Sequence, residues 1–233
     1  MSLSRAQLAA LAVAIAVVCI GKHVYRDASA GELRAFLAPT AKVVSLATGS
    51  NFVYESGQGW IDRDVGIIIE PACAGVNFAL AAFCTLVLGW LAMMTTWRVA
   101  ATRLALALGV AYVATIVVNT IRIIIAIRLH GANLRGIDPG DVHQVEGIVV
   151  YLGGLCALYA TAKRQRHAWF AVPIAAYLVI TLALPIANGA AARAGFVRHA
   201  AMVLAGCVAV VGVALVVELV RNRLQPRTVG DRT

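Results

Sequence analysis

Six apolar blocks, most of them near the length of a membrane span, limit what this chain can fold into. They run Ala6 to Gly21, Gly75 to Met94, Ala101 to Val118 with a continuation to about Leu129, Ile148 to Ala162, Ala168 to Ala187, and Ala200 to Leu219. A helix needs about 20 apolar residues to cross about 30 Å of hydrocarbon, and it satisfies its own backbone polar groups on the way. An all-α polytopic membrane protein with about six transmembrane helices is therefore expected. Composition agrees, since 61% of the 233 residues are hydrophobic and 13% are charged, against about 45–50% and about 25% in soluble domains. The first block is short for a span and follows Arg5, as in a secretory signal. Ile20-Gly21-Lys22-His23 stands where an Ala-x-Ala cleavage pattern would be, so a retained anchor is expected.

A net charge of +9 would point to nucleic acid in a soluble protein, but here the distribution of charge matters more than its sum. Orientation follows Lys and Arg density in short loops beside the spans. The clusters Lys163-Arg164-Gln165-Arg166 and Arg221-Asn222-Arg223 then make both ends cytoplasmic. No nucleic-acid partner is expected; the bilayer is the surrounding phase. The chain reads as one membrane domain over 1–233, with an extracytoplasmic insertion at 22–72 and a flexible cytoplasmic tail at 225–233. Within the insertion, Ala30 to Thr48 mixes apolar and charged residues as a helix lying on the membrane surface does, interrupted or kinked at Pro39. Asn51 to Glu55, Gly59 to Ile61 and Val65 to Ile69 are β-prone runs between turn-rich segments, which predicts a small β-hairpin or meander.

Of the five cysteines, Cys19, Cys84, Cys156 and Cys207 lie within apolar blocks, where a thiol is ordinarily a small hydrophobe. Cys73 stands alone at the outer lip of the second block. A free thiol facing an oxidising compartment needs a reason. Pro71 suits the first turn of a helix, so Cys73 is expected in that turn, where unpaired N–H groups favour a thiolate. Ala74 and Gly75 leave room beside the sulfur for another backbone, or simply help helices pack.

Successive spans run antiparallel. The start of the second span, the end of the third and the approach to the fourth therefore share one face, and they carry Cys73, Arg122 and His143 in turn. A guanidinium among Val117, Val118 and Ile123 costs about 2.5–3.5 kcal/mol at a span centre by insertion scales. Arg122 must face a cavity, a partner or the interface, and Asn119 lies one turn away on its side of the helix. His143 falls in Asp138-Pro139-Gly140-Asp141-Val142-His143-Gln144-Val145-Glu146, with carboxylates on both sides. A cysteine nucleophile needs a base that later protonates a leaving amine, and positive charge where an oxyanion grows. Arginine is permanently charged and a poor base, which leaves the proton transfers to His143. Glu70, Asp141 and Glu146 are the carboxylates available to orient it.

These pieces resemble the exosortase/archaeosortase family of membrane cysteine transpeptidases, and look most like the compact branch called exosortase K. Pro71-Ala72-Cys73-Ala74-Gly75 matches the cysteine motif, Asn119-Thr120-Ile121-Arg122-Ile123 the arginine motif, and His143 the histidine before the following span. The resemblance runs from about Glu70 to Gly154. It implies catalytic roles for Cys73, Arg122 and His143, no cofactor, and a site facing outward from the cytoplasmic membrane of a prokaryote. The implied partner is an exported protein ending in a short motif, a transmembrane helix and a basic tail, which the enzyme cleaves and transfers. Two departures stand out: family members often have about eight spans, and serine is common where Ala74 stands.

Two other classes compete. A small transporter or channel component would also carry intramembrane charge, but the polar groups here gather at one side. A thiol oxidoreductase exchanges electrons between paired cysteines, and the sequence has no Cys-x-x-Cys. The five histidines are too scattered for a zinc site, so no metal is expected.

Overall fold

The computed structural model describes residues 3–64, 66–131, 139–162, 169–192 and 194–224. Among them, five helices are long and apolar enough to cross a membrane. The basic cluster at 163–166 and the tail at 225–233 lie outside the described residues, as does Val65 of the third β-prone run.

Helix α1 (Arg5–Arg26) opens with a capping box, in which the Ser4 hydroxyl accepts from the Gln7 amide and the Gln7 side chain accepts from the Ser4 amide. Gln7 also donates to the Leu91 carbonyl at 3.0 Å, pinning the start of α1 to the far end of α3 (Val76–Trp90). Helix α3 is apolar on all sides and takes the centre, against α1, α4 (Trp97–Gly131) and α5 (Pro139–Ala162). Its span is 56% buried, whereas those of α1 and α8 (Phe196–Leu224) are 17% buried and leave most of their surface to lipid. Small residues set the closest approaches. A Cβ on Gly154 of α5 would meet Val118 of α4 at 2.9 Å, so only glycine fits there.

The fifth apolar block is shorter than a full span. It forms Ala171–Ala187, made of α6 (Ala171–Leu178), a π-helical turn (Val179–Ala183) and α7 (Leu184–Ala187). Other helices begin earlier than their apolar blocks. Helix α5 starts at Pro139 rather than near Ile148, so His143 lies inside a helix and not in a loop before it.

The insertion holds α2 (Arg34–Thr48) and a three-stranded antiparallel meander of β1 (Val53–Glu55), β2 (Gly59–Asp62) and β3 (Ile67–Ile69). Tyr54 faces Trp60 across β1 and β2, with ring centroids 4.8 Å apart. Helix α2 packs along α4 and runs unbroken through Pro39. Proline removes the N–H that would bond the carbonyl four residues back, that of Ala35. The Tyr112 hydroxyl of α4 donates to this carbonyl at 2.7 Å, replacing the lost bond from a neighbouring helix.

Candidate active site

Three local features build the turn that carries Cys73. Pro71 starts a single 3₁₀ turn (Pro71–Ala74), the Cys73 amide donates to the Glu70 carbonyl at 2.8 Å, and Gly75 ends the turn with φ +72°. A side chain at Gly75 is excluded twice, by that backbone angle and by Thr115 Cγ2, 3.0 Å from where its Cβ would lie. The positive φ also separates Cys73 from α3, whose cap is Gly75 itself. The expected first-turn placement is thus corrected: Cys73 precedes the helix terminus and its own amide is already used. Positive charge reaches the sulfur instead from the nearby Arg122 guanidinium.

Arg122 is 8% exposed and meets Tyr151, His143 and Glu146. Its Nη1 donates to the Tyr151 hydroxyl at 3.3 Å, and its Cζ stands 5.3 Å from that ring's centroid. Tyr151 donates in turn to Asn119 Oδ1 at 2.9 Å, and Asn119 Nδ2 donates to the Cys73 carbonyl at 2.5 Å. This chain of bonds ties the turn, α4 and α5 together. On its other side Arg122 Nη2 lies 2.7 Å from His143 Nε2. A guanidinium has donors only, so Nε2 accepts and the neutral ring carries its hydrogen on Nδ1. That nitrogen faces Glu146 Oε2 at 3.7 Å, and the same oxygen is 3.9 Å from Arg122 Nε.

Glu146 and Arg122 form a buried pair, with side chains 5% and 10% exposed. Among the described residues, Arg122 Nε and both Glu146 oxygens make no hydrogen bond. Removing two charges from water without completing their hydrogen bonds works against stability, so the pair is poorly explained as a brace for the fold.

Cys73, Gly75, Asn119, Arg122, His143 and Glu146 are therefore brought together, at one end of the helix bundle. Two sequence candidates are not part of it. Glu70 lends only its carbonyl to the turn, while Asp141 pairs with Arg198 of α8. Glu146 is the carboxylate that faces His143. Arg122 is bonded to the imidazole and acts on the sulfur through its charge, where the sequence pointed to a simple meeting of three groups.

A cavity of about 340 Å³ opens beside this cluster, lined by Ala72, Arg122, His143, Gly147 and Tyr151 on one side. Gly147 lets the guanidinium lie against α5, since a Cβ there would be 2.9 Å from Arg122 Nε. The family model described as transmembrane exosortase matches residues 2–160. The chain belongs to the transmembrane exosortase family. No curated protein and no solved structure matches it.

The exosortase match ends before α6, yet the cavity does not. Tyr177, Thr181 and Pro185 from the α6–α7 segment, and Phe196 and His199 from α8, close its far side. Lys22 of α1 also lines it, donating to Asn77 Oδ1 at 2.9 Å. Sequence reasoning missed all of these, and Tyr151 as well. A tyrosine in an apolar block looks like an interface anchor, and nothing in the spacing separates Tyr151 or Tyr177 from that role. Lys22 falls just past the first block, where a lysine reads as a span-flanking charge.

Proposed function

We propose that the chain is a membrane-embedded cysteine peptidase and transpeptidase that cleaves C-terminal sorting signals of exported proteins. The observation that carries this reading is the buried Arg122 guanidinium, bonded to His143 and close to Cys73, beside an open cavity. In the first step Arg122 Nη2 releases His143 Nε2, which takes the thiol proton, and the Cys73 sulfur attacks the scissile carbonyl, forming a tetrahedral oxyanion. Arg122 stabilises first the thiolate and then this oxyanion, with donors already in place. The carbon–nitrogen bond breaks, the leaving amine takes the proton from His143, and a thioester remains on Cys73. An acceptor amine or water then attacks the thioester, giving up a proton as the sulfur leaves and regenerating the thiol.

Glu146 steadies the imidazolium formed midway, since it already faces Nδ1 at 3.7 Å. Asn119 and Gly75 fix the turn that presents the sulfur. The site faces outward from the cytoplasmic membrane of a prokaryote, with both termini inside, as the basic clusters at 163–166 and 221–223 require of short loops.

The reading is tested by trapping the intermediate. The full chain is reconstituted with a tagged protein that ends in a short motif, an apolar helix and a basic tail, taken from a neighbouring reading frame. Mass spectrometry should find the upstream fragment attached to Cys73 through a hydroxylamine-labile thioester. Processing without any adduct on Cys73, or processing that persists in Cys73→Ala, overturns the acyl-enzyme.

A further inference from the structure

The cavity beside Cys73 has two walls of different chemistry. One carries the charged groups, Arg122 and Lys22. The other is neutral, with Tyr177, Thr181, Gln144 and His199 as its polar members and Pro185 and Phe196 between them. Gln144 and His199 are in direct contact, joining the start of α5 to the start of α8.

Two features mark the neutral wall as more than packing. The first is the π-helical turn Val179–Ala183, which interrupts an otherwise α-helical segment where it meets the cavity. Such turns are rare and frequently occur at functional sites. Here Thr181 Oγ1 donates to the Tyr177 carbonyl at 2.7 Å, so the widened turn is supported by its own side chain. The second feature is Tyr177 itself. Its ring is buried and lines the cavity, while its hydroxyl, which no described residue bonds, is not among the fully buried unpartnered atoms and so opens to the cavity. A phenol hydroxyl open to a cavity can both donate to and accept from a bound group.

We infer that Tyr177, Thr181, Gln144 and His199 form a peptide-binding subsite that holds the extended substrate backbone across from Cys73 and Arg122. This inference rests on the peptidase reading and names where that enzyme gains its selectivity. Neutral groups that both donate and accept, set between an aromatic ring and a proline, complement amide groups and apolar side chains. They offer no charge to a phosphate or carboxylate. The wall is supplied largely by residues beyond 160, outside the stretch that the exosortase family model matches. The chemical groups and the selecting groups thus come from different parts of the chain.

Tyr177→Phe and Thr181→Val test this in the full chain with two readouts. The first is alkylation of Cys73 by iodoacetamide, quantified by mass spectrometry, which needs no peptide. The second is kcat/KM for processing of the tagged substrate. Tyr177→Phe should retain the alkylation rate within about twofold and lower kcat/KM on the order of 10-fold, mainly through KM, as expected for one lost hydrogen bond. Thr181→Val should act in the same direction, and Thr181→Ser, which keeps the hydroxyl, should restore processing. An unchanged kcat/KM in both variants overturns the subsite. So does a parallel fall of alkylation and processing, because the residues would then be supporting the reactive cluster. If the unaltered chain alkylates but processes no such substrate, the peptidase reading fails and the subsite with it.

Discussion

Two cavities of similar size lie on either side of α3, and only one of them has the means to do chemistry. The larger, about 440 Å³, runs between α1, α3, α4 and the segment Glu32 to Phe36. Its walls are Val17, Leu80, Phe83, Leu108 and similar side chains, and its polar atoms already have partners. Tyr112 donates to Ala35, and Tyr25 reaches the Pro71 carbonyl at 3.4 Å. Glu32 accepts from the Ser29 amide and hydroxyl, which hold its carboxyl below the usual carboxylate range. The smaller, about 340 Å³, is bordered by Arg122 and backed by Glu146, charges buried with incomplete hydrogen bonding. Volume alone would choose the apolar one. What separates them is which cavity borders charge that the fold keeps away from water at a cost.

Substitutions that remove the reacting groups should separate the two cavities most sharply. Cys73→Ala is expected to reduce processing of the tagged substrate on the order of 10⁴-fold, as loss of a nucleophile does elsewhere. Leu108→Ala, in the apolar groove, should leave the rate within about twofold. Membrane abundance of each variant, followed by immunoblot, keeps the comparison fair. A collapse of activity in Leu108→Ala would show that the groove takes part, and the contrast between the cavities would be gone.

Next in size is Arg122→Lys. The ammonium keeps the charge but cannot hold Tyr151 and His143 together beside the sulfur, since it lacks the planar fork. A loss of about 10²-fold in kcat is expected, the usual consequence of removing an oxyanion donor. Iodoacetamide labelling of Cys73 should also slow at a fixed pH near neutrality. Labelling at the original rate would mean that the guanidinium does not govern the thiol.

Gly147→Ala asks the same question without touching a reacting group. Its methyl would stand 2.9 Å from Arg122 Nε, so the guanidinium must shift. Small misplacements at a reacting centre are costly, and kcat should fall about 10-fold with little change in KM. Gly153→Ala provides the control, because nothing lies within 4 Å of the position its Cβ would take. Equal behaviour of the two alanines would remove the claim that Arg122 needs this exact seat.

How much of this was legible in the sequence differs between the helices and the site. Block length and hydropathy locate the spans because hydrocarbon thickness fixes them, and α5 starts early only because its first turns are polar. Cys73, Arg122 and His143 stand out as reactive residues placed at one face by antiparallel order. Pairings are another matter. Asp141, Glu146 and Glu70 are equivalent on paper, and helix phase decides among them: Glu146 shares a face with His143 at i+3, whereas Asp141 turns toward α8. Gly75 hides its meaning in the same way, since the sequence does not reveal the positive φ that splits the cysteine turn from α3. Tyr151, eight residues beyond His143, joins the cluster only through α4, which no local pattern predicts.

The smallest effect lies on the apolar side, where Tyr112 repairs the helix that Pro39 would otherwise break. Tyr112→Phe keeps the ring against Phe36, now 5.3 Å between centroids, and removes only the hydroxyl. The Ala35 carbonyl would lose its donor, a change worth about 1 kcal/mol for a typical hydrogen bond. Helix α2 packs against both α4 and the Cys73 turn, so loosening it reaches the site only indirectly. Processing should fall by less than about threefold, while amide exchange in 34–40 speeds up on the order of fivefold in detergent-solubilised protein. If exchange there is unaltered, α2 bridges Pro39 without help from its neighbour. The contrast would then sharpen further, since the groove's polar atoms would have partners that contribute nothing measurable, and those of the reactive cavity would alone be decisive.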